Sequence, residues 1–459
     1  LLARQRRPLE ALPHMTLVAR SGVQANFPLL LQGFGELSEP EKAQLVKGLN
    51  ALYAEFPEDP ALLLTQALIH TEFRQYDQAL ARLDTLLAQE PAQHQALLLE
   101  ARVKLESGDP APFDRIRSAL DDNPEDTRLR LEYAKLLTTT DMAAARRQFE
   151  ILSAQSPQDA DLLLSLALIN LESGDSLVAR AYLQQMLELG KRTDEAHYYL
   201  GVIAEEREES ELAISHYQRV GDSRQYFAAT LRIGELLAGT QQFERYGAWF
   251  EAQRAVQPAR AEQLYGLEAD ILSRNGYLQD SRVTLDAGVK AFPESNSLRY
   301  ARAMLADQQG EVDLMESDLR AILAGDPDNA TALNALGYTL TNRTQRYDEA
   351  YALISRALAL EPDEPAILDS MGWVLFRKGR LDESLQYLNR AYAAFPDPEV
   401  AAHLGEVLWT MGRTEQALRI WRDALAQSPD HDVIMGTLRR RGVEDIAATP
   451  PPTEIPGVR

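Results

Sequence analysis

Apolar residues along this chain recur at i, i+3, i+4 and i+7, as from Ala160 to Leu171 and again from Leu177 to Leu187. That spacing fills one face of an α-helix and leaves the other polar. The helical stretches come in twos, and a proline closes each two. Pro57, Pro91, Pro124, Pro157, Pro258, Pro293, Pro327, Pro362, Pro396 and Pro429 stand 34, 33, 33, 101, 35, 34, 35, 34 and 33 residues apart. The long gap is three periods, so the 372 residues from Pro57 to Pro429 hold 11 periods averaging about 33.8 residues, the mark of a repeat array. A second register runs about 24 residues before each proline: Gly33, Ala67, Ala101, Ala134, Ala167, Gly201, Gly234, Ala269, Ala303, Gly337, Gly372 and Gly405. About twelve residues further on, a second small residue follows in most units, at Ala79, Ala145, Ala179, Ala213, Ser281, Ala350, Ser384 and Ala417, with Leu45, Phe113, Tyr246 and Met315 as exceptions. Small residues at both places let two antiparallel helices approach closely. Between them, Gly108, Gly174, Gly276, Gly310, Gly379 and Gly412 suit a left-handed helix end. The proline then stops the second helix.

With its Gly or Ala, second-helix Ala and terminal Pro residues in register from 26 to 431, the pattern resembles the tetratricopeptide repeat (TPR) family. The resemblance implies an all-α, right-handed superhelical solenoid of about twelve helix pairs. Around that array the expected organisation is a non-repeat segment over 1–25, a capping helix over 432–446 and a disordered Pro-rich tail over 447–459. The weakest units are 26–59 and 227–260, where Tyr246 replaces the second small residue.

Composition narrows the chemistry. A length of 459 residues ordinarily suggests about three domains, but a repeat array removes that inference. With no Cys, there is no disulfide, thiolate metal site or Cys nucleophile. A formal charge of −22 argues against broad binding to nucleic acid or an anionic membrane surface. The seven His residues show no metal-ligand spacing, and Gly190, Lys191, Arg192 and Thr193 lack the upstream Gly of a phosphate loop. No catalytic, cofactor or metal site is expected, and the chain reads as a non-enzyme. No apolar run is long enough to span a bilayer. Leu1 is not Met, which reads as a processed or trimmed fragment, with any targeting segment expected upstream.

In the resembling family the first helix of each pair lines the concave face, at positions three before, one after and four after the first small residue. Here the first of these positions gives an apolar ladder, Leu30, Leu64, Leu98, Leu131, Leu164, Tyr198 and Leu231. It reads either as a greasy inner wall for a partner or as packing between repeats. The C-terminal units place Asn334, Tyr338, Asp369, Trp373, Phe376, Arg377, Glu406 and Trp409 on the same face, with aromatic and Arg side chains of the kind that anchor interfaces. Trp421 falls on a second helix and reads as core. The two-carboxylate clamp of some relatives is not expected, because Lys135 and Asn334 lie too far apart in the array. The first 25 residues, with Leu1, Leu2, Arg6, Arg7, Leu9 and Leu12, either cap the first unit or reach out to a partner. Arg439, Arg440 and Arg441 are expected on the exposed side of the last helix.

The run from Leu333 to Pro429 looks like the C-terminal part of TPR lipoproteins of Gram-negative bacteria. Within these, the whole chain is similar to outer-membrane lipoproteins that bind and activate a carboxyl-terminal processing protease. That resemblance implies an adaptor at the periplasmic face of the outer membrane, with a lipid anchor upstream of Leu1. Its partners would be the serine protease and protein substrates such as peptidoglycan hydrolases. The alternative is a structural scaffold for an envelope assembly such as a pilus or polysaccharide-export machine.

Overall fold

The computed structural model describes residues 2–429 and 431–444; Leu1 and the expected tail over 447–459 lie outside the described residues. The described chain is helical with no β-strand, in TPR-like helix pairs. It divides into two compact units that part between Ala229 and Thr230.

In the N-terminal unit the pairs are Pro60–Glu72 with Tyr76–Gln89, His94–Ser107 with Asp114–Asp122, Thr127–Leu137 with Met142–Gln155, Ala160–Glu172 with Ser176–Glu188, and Thr193–Glu206 with Ser210–Tyr217. The helix Tyr226–Gly239 runs across the division and is followed by Phe243–Val256. In the C-terminal unit the pairs are Ala261–Arg274 with Leu278–Ala291, Asn296–Gln308 with Val312–Gly325, Ala330–Arg343 with Tyr347–Leu360, Pro365–Arg377 with Leu381–Ala394, and Pro398–Thr410 with Thr414–Gln427. Asp432–Arg441 packs on Pro398–Thr410 and closes the described chain.

The small residues lie where the paired helices cross. A Cβ on Gly372 would come 2.5 Å from Leu388 Cγ, and one on Gly405 would come 2.1 Å from Trp421 Nε1. Ala79, Ala145, Ala179, Ala213, Ala350 and Ala417 are fully buried opposite them. Where the second small residue is Ser, its hydroxyl donates across the crossing: Ser281 to the Ala269 carbonyl at 2.7 Å and Ser384 to the Gly372 carbonyl at 2.6 Å. Tyr246, in place of a small residue, is packed at 2% exposure against Phe250, and its hydroxyl donates to the Glu268 carbonyl at 2.7 Å.

The turns follow from local chemistry. Gly108, Gly174, Gly276, Gly310, Gly379 and Gly412 all have φ between 77° and 83°. Three units without that glycine force another residue into the same conformation, Arg74, Glu208 and Gln241 at φ 55°, 61° and 59°, whereas Asp141 and Thr344 at the equivalent place have φ −148° and −134°. At the other end, the proline also sets up the next helix. Two residues after Pro57, Pro124, Pro157, Pro293 and Pro327, the side chains of Asp59, Asp126, Asp159, Ser295 and Asn329 accept from free N–H groups of the following first turn.

The N-terminal end departs from the expected helix pair over 26–59. Phe27–Leu31 and Phe34–Glu36 are 3₁₀ turns, Gly33 is left-handed at φ 80°, and the α-helix Glu39–Glu55 starts behind a Ser38–Glu41 capping box. Two glycines around Phe34 and Pro28 before it weaken an α-helix there, each Gly costing about 1 kcal/mol against Ala. The helix Pro8–Arg20 folds onto Glu39–Glu55, with Leu12 seated on Gly48 and Arg20 paired to Glu55 at 2.8 Å. At the opposite end, the terminal helix stops at Arg441 rather than running to 446, because Gly442 takes φ 68°; residues 445 and 446 lie outside the described residues.

Two substitutions test this account by urea unfolding. Gly405→Ala should destabilise the protein by about 1–3 kcal/mol through overpacking against Trp421. Gln241→Gly should stabilise it by up to about 1 kcal/mol by relieving the left-handed Cβ cost.

Candidate protein-binding site

The predicted face contains two different environments. In the N-terminal unit the leucine ladder is partly packing: Leu30, Leu64 and Leu164 are 0%, 3% and 7% exposed, while Leu98, Leu131 and Tyr198 are half-buried; Leu231, in the C-terminal unit, is half-buried too. A groove of about 340 Å³ lies along the ladder, where Leu64, Leu68, Leu98 and Leu136 meet Arg102 and Glu132. Of the N-terminal docking candidates, Leu2, Leu9 and Leu12 are half-buried against the apolar cluster around Phe27 and Leu30. Arg6 and Arg7 are exposed and paired to Glu36 and Glu10. Leu1 lies outside the described residues.

The C-terminal unit holds a groove of about 540 Å³. It is built by the first helices of three successive pairs and by the terminal helix. Ala330–Arg343 contributes Tyr338 and Asn342; Pro365–Arg377 contributes Trp373, Phe376 and Arg377; Pro398–Thr410 contributes Glu399, His403 and Glu406; and Asp432–Arg441 contributes Val433, Thr437 and Arg440. Because side chains three and four residues apart on a helix share a face, each first helix aims two or three residues into the same space.

An aromatic stack forms the floor. The Trp373 ring lies 4.1 Å from His403 at 19° and 5.0 Å from Phe376 at 23°. The Trp373 indole N–H donates to Asn342 Oδ1 at 2.7 Å, which orients the ring. Beneath it, His403 Nδ1 lies 3.0 Å from both carboxylate oxygens of Asp369; the two residues are 5% and 6% exposed. Burial alone would push His403 down, but Asp369, with Glu399 and Glu406 adding their charge, outweighs it and holds the imidazole above its ordinary value. Burial pushes the Tyr338 phenol well up, helped by Glu399, so it stays protonated and donates to that carboxylate.

The predicted residues therefore separate. Tyr338, Trp373, Phe376, Arg377 and Glu406 line the groove, and Asp369 supports it from below. Asn334 is half-buried outside the lining. Trp409 packs 5.8 Å from Trp421 in the neighbouring core, and Trp421 itself is fully buried over Gly405. Arg440 and Arg441 do not simply project into solvent as expected: they reach Glu406 at 3.2 and 3.1 Å, because its carboxylate, 8% exposed, needs donors. The expectation missed Asn342, Glu399 and His403. They stand five after, six before and two before the small residue, off the three positions that the family rule names. The usable signal was the 34-residue offset that sets His403 one repeat beyond Asp369. Among the described residues, no group of three or more His, Asp or Glu is arranged to hold a metal ion, and no helix is long and apolar enough to cross a membrane.

Antiparallel helix pairs closed by small residues, with a polar-aromatic groove on successive first helices, define a helical-repeat scaffold for protein–protein interaction. The chain belongs to the tetratricopeptide repeat family. Tetratricopeptide repeat models match residues 328–397, and also 64–111, 136–191 and 171–226. A TPR repeat-containing protein of Pseudomonas aeruginosa is 38% identical over 407 residues, covering 88% of this chain and 68% of that protein. Similar solved structures include a tetratricopeptide repeat protein from Parabacteroides merdae, 16% identical over 49% of this chain and 90% of that one, with a TM-score of 0.40. Another is Pseudomonas aeruginosa pilF, 22% identical over 41% of this chain and 88% of that one, with a TM-score of 0.34.

The His403–Asp369 pair makes a pH prediction. A group held above its unfolded value adds stability that is complete below the unfolded imidazole value of about 6.5 and is lost as pH rises through the raised folded value. Stability of the C-terminal unit should therefore fall on going from about pH 6 to alkaline pH. Asp369→Asn should flatten that dependence in urea titrations followed by Trp emission.

Proposed function

We propose that this chain is a non-catalytic adaptor for a periplasmic carboxyl-terminal processing serine protease, held at the periplasmic face of the outer membrane by a lipid anchor upstream of Leu1. The sequence resemblance over Leu333–Pro429 motivates the partner and the compartment. The observation that carries the reading is that this same run supplies most of the groove, where Tyr338, Trp373, Phe376 and Arg377 converge. Aromatic and Arg side chains of this kind supply most of the energy of protein interfaces when they are held rigidly. Here the stack, the Asn342 hydrogen bond and the His403–Asp369 pair hold them.

The adaptor acts by proximity. Holding protease and substrate, such as a peptidoglycan hydrolase, on different surfaces of one chain raises their effective concentration and hence the cleavage rate. No covalent step by the adaptor is required.

The test is reconstitution with the purified protease and hydrolase. The chain should retain the protease and accelerate hydrolase cleavage, and Phe376→Ala should weaken capture of protease or substrate by about tenfold or more. Binding without acceleration, or retention only of a stable envelope assembly without the protease, would refute the adaptor role.

A further inference from the structure

The three arginines in the groove wall differ in what they hold. Arg343 meets Asp307 at 3.2 Å, and Arg440 meets Glu406 at 3.2 Å. Arg377 has only neutral partners among the described residues. Its Nη1 donates to the Thr341 carbonyl at 3.3 Å, its Nη2 donates to the Tyr347 hydroxyl at 2.5 Å, and the guanidinium lies 5.0 Å over the Tyr347 ring. A guanidinium carries five N–H donors in a planar fork, so Nε–H and one N–H on each terminal nitrogen are left for a ligand. The charge is stable in that position without a carboxylate, because Arg377 ends the helix Pro365–Arg377, where carbonyl groups favour a cation.

The groove's own acids do not serve Arg377. Glu399 accepts from Tyr338, Glu406 is held by Arg440 and Arg441, and Asp369 is engaged by His403. Directly beside Arg377 is Phe376, half-buried and stacked on Trp373, and the groove wall also includes Val433, 36% exposed. A planar cation with free donors next to an aromatic shelf complements a carboxylate next to an aromatic ring.

We propose that the groove takes an extended partner segment in which an Asp or Glu side chain stands beside an aromatic residue, the carboxylate pairing with Arg377 and the ring lying against Phe376. This rests on the reading of the groove as protein-binding and names the segment it selects. The net charge of −22 opposes an acidic segment at long range, so selection is made by the close pair and the stack rather than by steering.

The test uses the full chain and an array of C-terminally amidated octapeptides in which Phe, Tyr or Trp is paired with Asp, Glu, Asn or Gln between Gly and Ser flanks. Peptides pairing an aromatic residue with Asp or Glu should bind about tenfold or more tightly than their Asn or Gln counterparts, as expected for a charge-assisted bidentate contact. Arg377→Gln should erase that difference while circular dichroism and Trp emission stay unchanged, and Arg377→Lys should restore only part of it. Equal binding of acid and amide peptides, or affinity that appears only when the terminal carboxylate is left free, would overturn the proposal and leave the protein-binding reading intact. If no peptide binds and Phe376→Ala leaves capture of protease and substrate unchanged, that reading fails and this proposal with it.

Discussion

Close approach of paired helices at a residue with almost no side chain is the constraint on which the rest of this protein depends. At Gly405 the clearance is so small that a single methyl group would sit 2.1 Å from the Trp421 indole nitrogen; at Gly372 it would sit 2.5 Å from Leu388. Such contacts set the register of each first helix against its partner, since sliding or rotating either helix would bring Cβ atoms into the gap. Once the register is set, equivalent positions on successive first helices point the same way. The groove is therefore a consequence of the crossing, repeated from one pair to the next.

That consequence has a polar cost, and in the C-terminal unit the buried charged groups at the groove meet it by pairing. An Asp, a His and a Glu under 9% exposure would each be strongly destabilising alone. Asp369 faces His403, Trp373 is tied to Asn342, and Glu406 draws Arg440 and Arg441 back from the terminal helix. The pairing leaves the aromatic floor with one orientation, which a binding surface needs if its affinity is not to be spent on ordering side chains. It also makes the terminal helix part of the groove wall as well as a cap.

The N-terminal unit solves its end differently. Its first helix is replaced by 3₁₀ turns that still bury Phe27 and Leu30, and the preceding helix Pro8–Arg20 covers the remaining apolar face through Ala11 and Leu12. Of the leucine ladder beyond it, Leu64 and Leu164 are consumed by packing and Leu98 and Leu131 are half-buried. The two units thus put equivalent first-helix positions to different uses, partly apolar packing in one and a polar-aromatic groove in the other.

Beyond the first unit, the sequence by itself determined the helix pairs, their period, the crossing residues and the left-handed turn glycines, because each is a local or strictly periodic property. Together with the groove positions that the family resemblance implies, it also placed Tyr338, Trp373, Phe376 and Arg377 on one face. Only the tertiary structure decided that Leu164 is core, that Trp409 belongs to the Trp421 cluster, that Tyr246 fits its crossing, and that Asn342, Glu399 and His403 complete the groove. The physical reason is that these depend on a rotation of each helix by a fraction of a turn and on partners about 34 residues away. A pattern of residue types does not encode that angle; the packed neighbours impose it.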